Sequence, residues 1–98
     1  MYINANEAAN LMKEYKDAVR TTARSLVPGC MKKIDSLIRS AAANGKEIIT
    51  ITTRYLTDLP DGANDVIVLL AKELSDVLIG LGYRVVFEEK GQWIQICW

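Results

Sequence analysis

The spacing of apolar residues predicts a helix at the start of the chain. Apolar and small side chains recur there at steps of three and four residues, which is typical of a helix that buries one face. These positions are Ala8, Leu11, Tyr15, Val19, Thr22 and Leu26. Asn4, followed three residues later by Glu7, resembles a capping box. We therefore predict a first helix from Asn4 to Val27.

The dipeptide Pro28-Gly29 interrupts this pattern. Proline disfavours helical backbone in the residue before it, and glycine permits a sharp turn. We predict a second, separate helix from Cys30 to Ala43, with one kinked continuous helix as the alternative. Asn44-Gly45 supplies the stop, because glycine adopts the left-handed conformation at the C′ position without a Cβ clash.

β-Branched residues then predict a first strand from Glu47 to Thr53. A crossing loop over Arg54–Asp61 follows, and we expect Asp61 or Asn64 to cap a third helix that continues to Ile79. Apolar residues cover more than one stripe of this third helix. We therefore expect it to be central in the fold or buried in an oligomer.

Residues 83–98 predict a β-hairpin with its turn at Lys90-Gly91. If strand three lies between the other two, the sheet has the order 1-3-2 and every neighbouring pair is antiparallel. The alternative pairs strands one and two in parallel and leaves strand three at an edge. We favour the order 1-3-2, because Ile94 and Ile96 belong in a central strand. The predicted fold class is α+β: two N-terminal helices, then strand-helix-strand-strand, with a three-stranded, mainly antiparallel sheet packed on helices.

Length and composition predict one domain, residues 1–98. Half of the 98 residues are hydrophobic, which is enough for a core without a disulfide or metal. Cys30 and Cys97 lie far apart in sequence, and we expect free, partly buried thiols, with a disulfide as the alternative. No apolar run approaches the roughly 20 residues of a membrane span. The first residues lack the basic start and apolar core of a secretory signal. We expect a cytoplasmic protein with no membrane partner.

The charges are balanced overall but unevenly placed. Twelve basic and twelve acidic residues give a net charge of zero, without the basic excess of a dedicated nucleic-acid binder. Residues 1–54 hold nine basic and five acidic residues, a net charge of +4, and residues 55–98 hold three and seven, a net charge of −4. Such a chain could stack head to tail or meet a charged partner with one half, although solvated helix faces explain the same asymmetry.

Three short motifs resemble those of small uncharacterised bacteriophage proteins. They are A-A-x-N-G-K at residues 41–46, L-G-Y-x-V at residues 81–85 and I-x-I-x-W at residues 94–98. The likeness covers about residues 34–98 and leaves out the first helix. It implies a phage protein acting in an infected bacterial host. The group has no agreed activity, so the likeness implies no site residues.

The residue types argue against catalysis. Histidine is absent, which removes the usual proton shuttle near neutral pH, the commonest metal ligand and every Ser-His or Cys-His pair. Two cysteines cannot form a zinc site alone, and no phosphate-binding glycine motif occurs. Asp58, Asp61 and Asp65 could hold Mg²⁺ or Ca²⁺, but capping and solubility explain them better. We predict no enzyme activity, no catalytic or metal-binding residues and no cofactor.

Two surfaces are candidates for binding a ligand or partner. The first is a basic ladder on one side of the first helix, formed by Lys13, Lys16, Arg20 and Arg24. This ladder could meet phosphates or an acidic protein surface, although an exposed amphipathic helix is the plainer interpretation. The second is the sheet face opposite the core, where we place Arg84 and Trp93, the latter a typical interface anchor. The first helix either folds over this face or leaves it as a dimer or partner surface.

These observations favour a small non-catalytic phage accessory protein. We expect it to bind a host protein as an inhibitor or to sequester a small signalling nucleotide, in host takeover or anti-defence. The alternative is a structural component of the virion or its assembly, and a weaker one is nucleic-acid binding through the first helix. The apolar excess of the third helix, together with Trp93, predicts a homo-oligomer, most simply a two-fold dimer.

Overall fold

The fold consists of helices packed on one side of a three-stranded sheet. The structure, a computed structural model, describes residues 2–59 and 63–98. Its elements are α1 (Ala5–Ala43), β1 (Ile48–Thr52), α2 (Thr53–Leu56), α3 (Asn64–Gly80), β2 (Arg84–Phe87) and β3 (Trp93–Cys97). The strands lie in the order β1-β3-β2, and both neighbouring pairs are antiparallel. The predicted α+β class and the 1-3-2 order are confirmed.

α1 is one continuous helix, so the prediction of two separate N-terminal helices is wrong. Pro28 lies inside it, where proline removes one backbone hydrogen bond at a cost of about 3 kcal/mol. The carbonyl left without a donor belongs to Arg24, which lies on the exposed side of the helix and can bond water. Ala23 before the proline and Cys30 after it are buried in the same core. Packing on both sides therefore overrides the local preference to stop.

The predicted N-cap at the start of α1 and the predicted stop at its end are both confirmed. Asn4 is the N-cap residue, and its side-chain oxygen accepts a 2.9 Å hydrogen bond from the Glu7 amide. At the other end, Gly45 has φ +79° and donates to the carbonyl of Ala42, while Lys46 donates to that of Ala41. This pair of bonds is the Schellman motif, which satisfies the last carbonyls of the helix and turns the chain into β1. The same pair of bonds, from the amides of Gly82 and Tyr83, ends α3.

The α3 start differs from its prediction. Ala63 takes the N-cap position and makes no side-chain hydrogen bond, and Asn64 is already helical. The expected cap at Asn64 is therefore wrong, and the other predicted cap, Asp61, lies outside the described residues. The short helix α2 begins at Thr53, the last residue of the predicted first strand, and continues into the predicted crossing loop.

The core lies between the two long helices and one face of the sheet. α1 packs over β1, and α3 packs over β2 and β3 and along α1. The central strand contributes Ile94 and Ile96, both fully buried. From α3, the buried apolar residues are Ile67, Leu70, Ala71, Leu74 and Leu78. α3 is thus central in the fold, as its apolar content predicts.

The hairpin turn between β2 and β3 is held against α3. Gly91 has φ +72°, and a Cβ there would come within 2.8 Å of the Ile67 carbonyl oxygen and of the Val68 Cα. The Thr53 hydroxyl donates to the Gly91 carbonyl, and the Thr53 amide donates to the Gln92 carbonyl at 3.0 Å. Only glycine fits this turn, because both the backbone conformation and the space exclude a side chain.

Among the described residues, no helix combines the length and the apolar content that crossing a membrane requires.

Candidate interaction surfaces

The N-terminal part of α1 packs little against the rest of the molecule, and its first ten residues extend past the start of α3. In residues 5–22, called here the projecting segment, every side chain is exposed except that of Val19, which is half-buried. Residues 23–43, called the packed segment, contain all the buried residues of the helix. A helix of 39 residues is roughly 58 Å long, which accounts for most of the 64 Å length of the molecule.

Two side-chain contacts fix where α3 begins relative to α1. The Tyr15 hydroxyl donates a 2.5 Å hydrogen bond to Asp65 Oδ2, and the Arg24 Nε lies 3.3 Å from Glu73 Oε1. Going from the first contact to the second, the chain advances by nine residues in α1 and by eight in α3. The two helices therefore run parallel, and α3 starts beside Tyr15. The part of α1 before Tyr15, residues 5–14, consequently extends roughly 15 Å past the start of α3.

The Tyr15–Asp65 contact also changes the acidity of the phenol. The hydrogen bond and the negative charge of Asp65, with a smaller contribution from burial, raise the pKa of Tyr15 above its ordinary value. The phenol stays protonated to higher pH because only its protonated form can donate to the carboxylate.

An apolar groove opens between the projecting segment and the start of α3. Its volume is about 510 Å³. The lining residues are Met12, Tyr15, Lys16, Val19, Arg20, Asp65, Val68 and Leu69. Leu11 and Tyr15 are each 57% exposed, and Met12 and Val68 are also exposed. Large apolar side chains therefore lie together on this surface instead of being scattered singly.

The four residues of the predicted basic ladder lie in two different environments in the structure. Lys13, Lys16 and Arg20 are exposed on the projecting segment, and Lys16 and Arg20 border the groove. None of these three forms an ion pair with a residue in the described ranges 2–59 and 63–98. Arg24, in contrast, lies in the packed segment and pairs with Glu73. Two basic side chains of the ladder therefore border the apolar groove, and Lys13 lies on the same exposed segment.

The outer face of the sheet is not covered by α1. The helices occupy the opposite face, where Ile94 and Ile96 are buried, while Ile48 and Val86 on the outer face are exposed. The alternative in which the first helix folds over this face is therefore wrong. Trp93 lies here, half-buried, opposite Thr52 of β1.

Arg84 and Trp93 share the outer face but do not meet. Arg84 pairs with Cys97 on the central strand, four residues from Trp93. This separation is roughly 13 Å along the strand. The two predicted site residues on the sheet therefore do not form one cluster.

A second groove, which the sequence did not predict, runs along the free edge of β1. Its volume is about 420 Å³. It is lined by residues from the last turns of α1, from the connection before β1, from β1 itself and from α2: Leu37, Ser40, Ala41, Asn44, Lys46, Ile49, Thr50, Ile51, Thr52 and Tyr55. The predicted order 1-3-2 already places β1 at an edge, but the groove depends on where the end of α1 lies beside that edge, which the sequence does not show.

The cysteines are both free, as predicted. Cys30 is buried in the core, and burial raises the pKa of its thiol, which the nearby charge of Lys33 only partly opposes. Its Sγ lies 3.8 Å from the Leu56 carbonyl oxygen. A buried thiol of raised pKa is a poor nucleophile near neutral pH, so Cys30 acts as a small core residue.

In the part of the chain that the structure describes, no three histidine, cysteine, aspartate or glutamate residues lie close enough together to hold a metal ion. Of the three predicted carboxylates, Asp65 accepts the Tyr15 hydrogen bond, Asp58 is exposed, and Asp61 lies outside the described residues.

No protein-family model matches this sequence, and comparisons with curated proteins and with solved structures gave no match.

Proposed function

We propose that this is a non-catalytic binding protein that engages another protein through its projecting segment. The observation that carries the proposal is the exposure of Leu11, Met12 and Tyr15 together on a helix segment with almost no packing of its own. Contiguous exposed apolar surface in a folded protein marks an interaction site more often than chance.

The energetics of the segment support this proposal. A short helix without packing is only marginally stable in water, because most helix stability in proteins comes from burying an apolar face. Burying the exposed parts of Leu11, Met12 and Tyr15 against a partner would contribute on the order of 1 kcal/mol each. A partner would therefore stabilise the segment while it binds.

The charges beside the groove suggest the chemistry of the partner. Lys16 and Arg20 carry positive charge at the border of the groove, and Lys13 lies on the same exposed segment. An amphipathic protein segment with acidic residues beside its apolar face would complement both features. A small nucleotide receives less support, because Glu14 and Asp17 lie among the basic residues and Arg24 is already paired with Glu73.

The resemblance of residues 34–98 to bacteriophage proteins favours a host protein as the partner. On this proposal the protein is a phage accessory protein that inhibits or redirects a host protein in the infected cell.

The experiment is affinity capture from bacterial cells that express the protein, with quantitative mass spectrometry of what is retained. The test variant is Leu11→Glu, which places a charge in the apolar surface. The matched control is Asn10→Glu, which adds the same charge about 100° around the helix. We expect the partner to be lost with Leu11→Glu and retained with Asn10→Glu, with unchanged melting temperatures. Equal capture by both variants, or no enrichment over a mock sample, would contradict the proposal.

A further inference from the structure

The edge of β1 offers unpaired backbone groups next to an apolar groove. β1 pairs on one side with β3, and no described residue pairs with its other side. The Trp98 amide donates to the Glu47 carbonyl, and the Thr53 amide donates to the Gln92 carbonyl, both at 3.0 Å. Hydrogen-bonded and non-hydrogen-bonded residues alternate along an antiparallel pair. These two bonds therefore determine which residues of β1 direct their backbone N–H and C=O groups away from β3. The outward residues are Ile48, Thr50 and Thr52.

We propose that this edge binds an extended segment of a partner protein, which adds a fourth strand to the sheet beside β1. The backbone donors and acceptors of Ile48, Thr50 and Thr52 would pair with the added strand, as in other proteins that recognise peptides by strand addition. This site is separate from the projecting segment and does not depend on the function proposed for it.

The groove determines which side chains the added strand would carry. Ile49 and Ile51 lie on the core face of β1, and Leu37 and Ala41 of α1 lie above them. An added strand directs every second side chain toward this side, because successive side chains alternate between the two faces. Those positions would be apolar.

Among the described residues that line this groove, Lys46 is the one with a charged side chain. It lies just before β1, at the end where the chain leaves α1. A carboxylate on the added strand near that end would complement it. The ligand is thus an extended peptide with alternating apolar side chains and an acidic group at one end.

A second copy of this chain fits the edge less well than a peptide. Pairing β1 with β1 of another copy would place the two strands about 4.8 Å apart. Each strand carries α1 above it, and residues of that helix line the groove at the edge. Two packed helices need 8–10 Å between their axes. The α1 helices of the two copies would collide, whereas a peptide without a helix would not.

The probe for the test is a displayed library of random short peptides, selected on the immobilised full-length protein and then synthesised. Thr50→Pro removes an outward-pointing amide, which an edge strand tolerates because the β1–β3 bonds do not use it. Thr50→Val is the matched control, since it keeps the amide and the branched shape. Ser40→Trp fills the groove without changing the strand.

We expect selected peptides with alternating apolar residues to bind the wild type, Thr50→Val and Leu11→Glu alike. Thr50→Pro and Ser40→Trp should each weaken binding by about tenfold or more, at unchanged fold by circular dichroism. Hydrogen exchange should be fast at the amides of Ile48, Thr50 and Thr52 in the free protein and slow in the complex. If Thr50→Pro unfolds, the test rests on the peptide affinity of Ser40→Trp and on the amide hydrogen exchange of the wild type with and without peptide.

Two results would overturn the proposal. One is a failure to select any peptide whose binding is sensitive to Ser40→Trp. The other is protection of the three outward amides in the free protein that increases with protein concentration, which would make a second copy the occupant. The affinity capture with Leu11→Glu and Asn10→Glu tests the projecting segment independently, so failure of the peptide site is distinguishable from failure of the function proposed for that segment.

Discussion

The two halves of α1 share one helix and one amphipathic pattern, but only the packed segment buries its apolar face within the chain. In the packed segment Ile34 is completely buried in the core, whereas in the projecting segment Leu11 remains 57% exposed. Apolar spacing predicts that a helix has a face to bury, and it does not predict what covers that face. The contrast locates an uncovered face at the N-terminal half.

The largest difference between the halves should appear in the free energy of unfolding. Ile34→Ala should cost about 2–5 kcal/mol, because it removes buried methyl groups and leaves a cavity. Leu11→Ala removes a similar group from an exposed position and should change stability by about 0.5 kcal/mol or less. Urea unfolding followed by circular dichroism measures both.

Equal losses for Ile34→Ala and Leu11→Ala would contradict the division of α1. The comparison belongs at low protein concentration, because self-association through the projecting segment would add stability at Leu11.

Pro28→Ala, a change within the packed segment, should raise the free energy of unfolding. Alanine restores the amide that would bond to the Arg24 carbonyl, and no described contact is lost because Pro28 is exposed. We expect a gain of about 1–2 kcal/mol, somewhat below the full cost of a helical proline because the unfolded chain becomes more flexible. The measurement is the same urea titration. A loss of stability would indicate that the proline has a packing role.

The sequence predicts those features of the fold that depend on a few neighbouring residues. Asn4 and Gly45 mark the start and end of α1 because capping is local chemistry. The order of the strands follows from the apolar content of Ile94 and Ile96. Continuity through Pro28 could not be predicted, because it depends on burial of Ala23 and Cys30 against residues distant in sequence.

The candidate sites were predicted less completely than the fold. Lys13, Lys16 and Arg20 lie on an exposed surface as expected, but nothing in the sequence indicates that the groove beside them is formed with Val68 and Leu69. The groove at the edge of β1 was missed entirely.

A smaller effect concerns the contact that fixes α3 against the projecting segment. Asp65 raises the pKa of Tyr15, so Asp65→Asn should move that pKa back toward its ordinary value near 10. The contact contributes stability below the ordinary pKa and loses it as the pH rises through the raised pKa, because the ionised phenol cannot donate. A pH titration followed by NMR of the Tyr15 ring measures the shift. An unchanged pKa in Asp65→Asn would show that the hydrogen bond does not form in solution.

Hydrogen exchange of the α1 amides tests most directly whether the start of the projecting segment, before the Tyr15–Asp65 contact, lacks packing within the chain. At low protein concentration, residues 5–14 should exchange on the order of a hundredfold faster than residues 30–41, because local fraying opens the first group without unfolding the core. A bound partner should slow exchange in residues 5–22 and leave residues 30–41 unchanged. Uniform protection along the whole of α1 in the dilute free protein would contradict the account.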